Sequence, residues 1–293
     1  MKRSGYALLV VVAVLGALSV AAGMAALAAQ TSSAGARADL DQARLRAAVE
    51  AAAARATVGF SLEDEDRRWI PDGRVYTFEI DDIEVTVRPV AASGLFDLNS
   101  GNVEVLARLL ENVGAERRDA LSISGAVADW RDADEDRSQN GAEAPAYRAS
   151  GLAPPANRNF LAIEEFRRVL GVEAEIYQNT APYLTIDGGE AVAALYALPA
   201  LLEALDRPAG DVRQILAARR AGGELPEIED AGVFDPASGG RYALFIEAQT
   251  ASGAALARQV SIILPGQDGP IDVIRRAPLA VGEAEQLLEP DSD

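Results

Sequence analysis

The first seventy residues constrain the fold more than any other part of the chain. No proline occurs before Pro71, and no charged residue lies between Arg3 and Arg37. The stretch from Tyr6 to Ala29 is continuously apolar or small, longer than the roughly 20 residues that span a bilayer. Lys2 and Arg3 precede it, so the positive-inside rule predicts a single-pass inner-membrane protein with a cytoplasmic N-terminus and a periplasmic body. From Arg37 to Val58, Leu40, Leu45 and Val49 recur at helical spacing with Ala43, Ala47 and Ala51, and with Arg and Glu between them. Alanine is the best helix former. One helix over residues 6–58 follows, about 80 Å long at 1.5 Å per residue. Residues 6–29 form its transmembrane part and the remainder is amphipathic.

Two processing schemes fit this start. Ala26-Leu27-Ala28 is an A-x-A site at which a signal peptidase would leave a chain beginning at Ala29. Alternatively, residues 1–5 are a basic leader ending in Gly5, cut before Tyr6, and the apolar helix stays on the mature chain. The second is favoured because the basic residues meet the apolar run directly through Gly5. The helical pattern also continues past Ala29.

Composition removes whole classes of chemistry. The chain has no Cys and no His, and Lys2 is its one lysine. Ser-His-Asp and Cys-His catalysis, thiolate or imidazole metal sites, disulfides, a P-loop lysine and a pyridoxal Schiff base are therefore excluded or nearly so. The net charge of −18 opposes nucleic-acid binding. Carboxylates, hydroxyls, arginines and backbone remain.

Beyond the helix, Tyr76, Phe78 and Ile80 alternate on one strand and Ile83, Val85 and Val87 on the next. Asp81-Asp82 forms the turn between them, and Pro89 is expected to end the hairpin. Residues 101–220 read as short helices: Val103–Asn112, Ala115–Trp130, Ile163–Leu170, Ala174–Thr180, Ala191–Leu205 and Gly210–Arg220. Strand alternation resumes at Arg241, with Tyr242, Leu244, Ile246 and Ala248 on one face. Segments Leu256–Leu264 and Ile271–Ile274 follow. The fold class is α+β, a long helix packed on an antiparallel sheet with an all-α domain inserted into it. The expected divisions are a leader at 1–5, the helix at 6–58 and sheet parts at 59–96 and 231–281. They flank an inserted α-domain at 97–230, and an acidic tail occupies 282–293.

In this order the motifs resemble those of the K-type minor pseudopilins of type II secretion systems. The carriers are the Lys2-Arg3-Ser4-Gly5 leader, Gly94-Leu95-Phe96-Asp97-Leu98-Asn99 and Asp129-Trp130-Arg131-Asp132-Ala133-Asp134. Asn140-Gly141-Ala142-Glu143, Pro154-Pro155-Ala156-Asn157-Arg158, Glu164-Glu165-Phe166-Arg167 and Pro182-Tyr183-Leu184-Thr185-Ile186 follow. The resemblance implies a pilin-like fold with an inserted helical domain of SAM-like or hairpin type. It implies a non-enzymatic role at the tip of a periplasmic pseudopilus, in its assembly and in the export of folded proteins. The implied partners are I-type and J-type minor pseudopilins, the major pseudopilin, prepilin peptidase and the inner-membrane assembly platform, with no nucleic acid. Gly5 and Tyr6 would be the processing site. Most pilin-like chains carry Glu at the fifth mature position, where it can pair with a neighbour's N-terminal ammonium. Val10 stands there instead, which fits a subunit with nothing ahead of it.

Asp132, Asp134, Asp136, Ser138, Asn140 and Glu143 fall at positions 1, 3, 5, 7, 9 and 12 of an EF-hand loop. Arg137 replaces the glycine of position six, and Pro145 argues against a helix after Glu143. A calcium loop of its own geometry remains, since hard oxygens suit Ca²⁺. The resemblance also implies calcium in the helical domain. The candidate ligands are Asp132, Asp134 and Glu143, then Asp129, Asp136 and Asn140, in a structural role. A rival class is a secreted or periplasmic, calcium-stabilised carboxylate enzyme with a cleaved signal peptide. Its catalytic pair has no signature in the sequence.

Overall fold

A computed structural model describes residues 4–62, 64, 67–222, 224–228, 240–264 and 272–288. Side chains of 4–10 and 25–34 lie outside this description, so Gly5, Tyr6 and Val10 are placed by backbone alone. Helix α1 runs unbroken over Ser4–Phe60, as the proline-free, alanine-rich sequence dictates. The described side chains of 11–24 are exposed. Among the described residues no helix is long and apolar enough to cross a membrane. Gly59, in the last turn of the helix, lies against Trp69: a Cβ there would lie 2.5 Å from the indole, which stacks on Tyr76 at 4.1 Å.

Strands β1 (Tyr76–Ile80), β2 (Ile83–Ala91), β5 (Gly240–Thr250), β6 (Ala255–Leu264) and β7 (Asp272–Leu279) form one antiparallel sheet. Its order is β1-β2-β5-β6-β7, so the chain leaves after β2 and returns beside it. The described residues between these two neighbours lie outside the sheet. Leu45, Val49, Ala52, Ala56 and Phe60 of α1 pack on Val85, Val87, Leu244, Ile246 and Ile262. Residues alternate across a strand, so Ala243 and Phe245 face the other way, into the core of the insert. With both faces covered, β5 reads as an almost continuous apolar run rather than an alternation.

Pro89 does not end β2, which continues to Ala91. Past Val87, β1 no longer accompanies it, and the Gly73 N–H donates to the Pro89 carbonyl while the Ala91 N–H donates to Pro71. Pro89 therefore directs its missing N–H toward the side where no strand pairs, the position proline tolerates.

The insert is built from α2 (Val103–Asn112), α3 (Arg117–Arg131), α4 (Ala144–Ala149), α5 (Ala174–Thr180), α6 (Pro199–Ala204) and α7 (Ala209–Ala221). A short parallel pair, β3 (Phe96–Asp97) with β4 (Leu184–Thr185), ties its start to the segment between α5 and α6. Helix α8 (Glu283–Leu288) follows the sheet. Of the expected Ala191–Leu205 helix only Pro199–Ala204 is helical, because Pro199 opens it. Ile163–Arg168 is a 3-10 turn. Helix α4 begins directly after Glu143 with Pro145 in its first turn, where the lost N–H needs no partner. The expectation of no helix there is thus corrected.

A candidate cation site in the insert

The acidic loop joins α3 to α4. Asp129 sits on the last turn of α3, fully buried. Its Oδ1 accepts the Ser138 N–H at 3.0 Å, while Oδ2 has no partner. The loop folds back over it: a Cβ on Gly141 would lie 2.1 Å from Asp129 Oδ2, so this contact requires glycine. Gly125 performs the same service one helical turn earlier, since a Cβ there would meet the Asn140 carbonyl carbon at 2.6 Å.

Asp132 and Glu143 lie close enough to this carboxylate to feel its charge, and Asn157 reaches the same loop at Asp134. Asp132 Oδ1, both oxygens of Glu143 and Asn157 Oδ1 are buried without a hydrogen-bond partner. Burial raises the Asp132 carboxyl above its ordinary range, and the charges of Asp134 and Asp129 add to it. Burial likewise raises Glu143, with help from Asp129 and Asp132. Buried unpartnered carboxylates are costly, and natural structures leave few. The set is all oxygen, matching hard divalent cations. Among the described residues no three carboxylates already stand grouped at ligating positions. The chemistry of the donors, though not their present spacing, is that of a Ca²⁺ site.

The sequence candidates separate within this loop. Asp129, Asp132 and Glu143 are brought together, with Asp134 near enough to act on both of the latter electrostatically. Asp134 Oδ1 also accepts the Asp136 N–H at 2.9 Å. Asp136 and Asn140 are exposed, and Asn140 serves the turn through its left-handed backbone, φ 60°. Asn157 was not among the sequence candidates. It also has positive φ, 46°, and its Nδ2 donates to the Asp134 carbonyl at 2.8 Å. Its signal lay in the Pro154–Arg158 run, but sequence distance hid its place beside the loop.

Behind the loop a second constellation fixes the insert. Asp97 Oδ1 accepts the N–H groups of Asn99 and Ser100, and Oδ2 those of Gly188 and Gly189. Asn99 bridges Phe160 in both directions and also reaches Ile186. Arg131 donates to the Leu98 and Gly101 carbonyls, joining the end of α3 to the same turn.

The fold that emerges is a mixed one: a long N-terminal helix on an antiparallel sheet, with a helical insert between neighbouring strands. The same architecture is seen in the crystal structure of the GspK-GspI-GspJ complex from the enterotoxigenic Escherichia coli type 2 secretion system. One of its chains superposes with a TM-score of 0.54 at 21% identity, covering 83% of this chain and 99% of that one. Within that class the resemblance is to one family, protein K of type II secretion systems. The model of that protein matches residues 87–189. The chain is 30% identical to type II secretion system protein K of Klebsiella pneumoniae over 132 residues, 40% of each chain. It is 34% identical to the Pectobacterium carotovorum subsp. carotovorum protein over 125 residues, 36% of this chain and 38% of that one. The match thus spans about two fifths of these relatives' length. The family match includes the Asp97 turn and the acidic loop.

Proposed function

We propose that this chain is a minor pseudopilin of a type II secretion system, placed at the pseudopilus tip. It would act by assembly and not by catalysis, helping to start the pseudopilus and to export folded periplasmic proteins. The observation that carries this reading is the protein K match across 87–189, the part of the chain that interrupts the sheet. The single helix over 4–60 supports it, because among its described side chains only those of the C-terminal part are buried on the sheet. Its N-terminal part would anchor the chain in the inner membrane, with the body in the periplasm. Prepilin peptidase would cut between Gly5 and Tyr6, leaving Val10 at the fifth mature position. The partners would be I-type and J-type minor pseudopilins, by analogy with the Escherichia coli complex, in which GspK is joined to GspI and GspJ. The major pseudopilin and the assembly platform would complete the set.

Calcium would be structural, held by Asp129, Asp132, Asp134, Glu143 and Asn157. Bound there, the ion would supply positive charge to the buried oxygens of Asp129, Asp132 and Glu143 that have no hydrogen-bond partner. It would fix the link between α3 and α4.

The test of placement is the N-terminal sequence and intact mass of the protein from its native membrane. A start at Tyr6 is expected, and a start at Ala29 would overturn the filament role. For the ion, thermal unfolding is compared in calcium and in chelator. Calcium at about 100 times its Kd should add about 2.7 kcal/mol. Asp132→Asn and Glu143→Gln should abolish that gain, and an equal gain in both variants would sink the assignment.

A further inference from the structure

Strand β1 lies at one side of the sheet, and among the described residues its outer edge has no partner strand. Next to the hairpin the Gly73 N–H donates to Pro89 and the Ala91 N–H to Pro71, so the odd-numbered residues of β2 turn their main chain toward β1. Along β1 they oppose Tyr76, Phe78 and Ile80, whose main chain is thereby used. The N–H and C=O groups of Thr77 and Glu79 are left directed outward, and among the described residues nothing bonds to them. The opposite edge is guarded: β7 carries Pro278, and its pairing is interrupted between Ser261 and Ile262. β1 has neither a proline nor a break in register.

The two faces of this edge differ in chemistry. Tyr76, Phe78 and Ile80 lean on the α1 side and are only half-buried, with Arg55 over the Phe78 ring at 4.2 Å. On the other face Glu79 stands directly opposite Glu84, in a pair without mutual hydrogen bonds, the kind that brings side chains closest. Like charges placed this way are destabilising. Both glutamates are exposed, and among the described residues neither carboxylate has an ion pair or a hydrogen bond.

We propose that the β1 edge docks an extended segment of a partner protein in which basic and aliphatic residues alternate. The segment adds a further strand to the sheet, pairing with the main chain of Thr77 and Glu79. Side chains alternate across a strand, so its basic residues meet Glu79 and Glu84 while its aliphatic ones extend the cover over Phe78 and Ile80. Main-chain pairing demands a polypeptide, and the uncompensated glutamates set its charge. A second copy is the wrong occupant, because two β1 edges side by side would crowd the glutamates of both chains together. The repulsion between Glu79 and Glu84 is a cost to this chain alone, and the arriving cations relieve it. This inference is independent of the calcium loop and of the secretion role.

The full chain in zwitterionic lipid nanodiscs is titrated by calorimetry with N-acetyl-Arg-Val-Lys-Val-Arg-Val-amide, with empty nanodiscs as the blank. A comparison peptide of the same composition groups its basic residues in a block. Two others are N-methylated, each at one of the two alternate sets of nitrogens. The alternating peptide should bind, and the blocked one at least about tenfold more weakly, equivalent to about 1.4 kcal/mol. One methylated peptide should fail and the other bind, since only one set of nitrogens faces β1. Joint replacement by Glu79→Gln and Glu84→Gln should weaken the alternating peptide about tenfold without lowering the unfolding midpoint. Glu84→Lys should raise the midpoint, by turning a repulsive pair into an attractive one, and weaken the peptide further. Absence of binding overturns the proposal. So does an affinity unchanged in the glutamine variant, equal binding of the blocked peptide, or equal binding of both methylated ones.

Discussion

Replacing Asp97 by alanine would strip the acceptor from four backbone N–H groups at once, two of them across the β3–β4 contact. Buried donors left unpaired cost about 1–3 kcal/mol each, and relaxation recovers part of this. Asp97→Ala should therefore lower unfolding stability by about 3 kcal/mol in denaturant titration. A loss below about 1 kcal/mol would show that water replaces the carboxylate. Gly141→Ala places a methyl group where Asp129 Oδ2 now sits. Overpacking of this kind costs about 1–3 kcal/mol, and it should weaken the calcium response as well. Glu143 gives a pH signature. Its folded pKa is raised, so the folded state binds more protons than the unfolded chain, and metal-free stability falls as pH rises through the raised value. In chelator, acidifying from neutrality toward that value should stabilise the protein, and Glu143→Gln should remove this gain. At these residues the sequence was legible only in part. The acidic run offered a row of oxygen donors, but whether a carboxylate was buried and orphaned depended on the chain folding over it at Gly141.

At the scale of elements, α1 shows how pattern becomes packing. Ala48, Ala52, Ala53 and Ala56 are buried on its sheet-facing side. Small residues let the helix lie close to a sheet whose own side chains are large. Ala52→Leu, at a position with no exposure, should cost about 1–3 kcal/mol. The same change at exposed Ala54 should be nearly silent in thermal unfolding. The 3-10 turn after Phe160 relies on charge instead. Glu165 accepts both guanidinium nitrogens of Arg158, at 2.8 and 3.1 Å, and the Leu161 N–H at 2.9 Å. The Arg158 bond chiefly lowers its pKa. A lowered carboxyl contributes stability above its unfolded pKa and loses it as pH falls through the folded value. The difference between the parent and Glu165→Gln should thus be present at neutral pH and close in acid. Helix α4 and the continuation of β2 show why local rules miscarried here. Pro145 and Pro89 are breakers by type, yet each sits where its missing N–H has no partner to lose.

Across the whole molecule, one arginine braces the end of the insert and another joins it to the sheet domain. Arg219 of α7 donates to the carbonyls of Ala194, Leu195 and Ala197, and burial pushes its pKa down to about 10. Arg74, beside β1, pairs with buried Asp72 and caps the end of α7 at the Gly222 carbonyl. Arg219→Met would keep the bulk and leave those carbonyls without their donor, at a cost of about 2 kcal/mol. Denaturant titration should read that loss, and an unchanged midpoint would show that water takes the place of the guanidinium. By itself the sequence determined the long helix, the strand faces, the absence of thiol and imidazole chemistry, and the family motifs. Each of these is written in neighbouring residues, through periodicity, composition or spacing. Only the tertiary structure decided that β5 lies beside β2, that Asn157 joins the acidic loop, and that Asp97 and Arg219 bind distant segments. Those pairings join positions far apart in the chain, and no local pattern specifies which buried carbonyl or amide will need a given side chain.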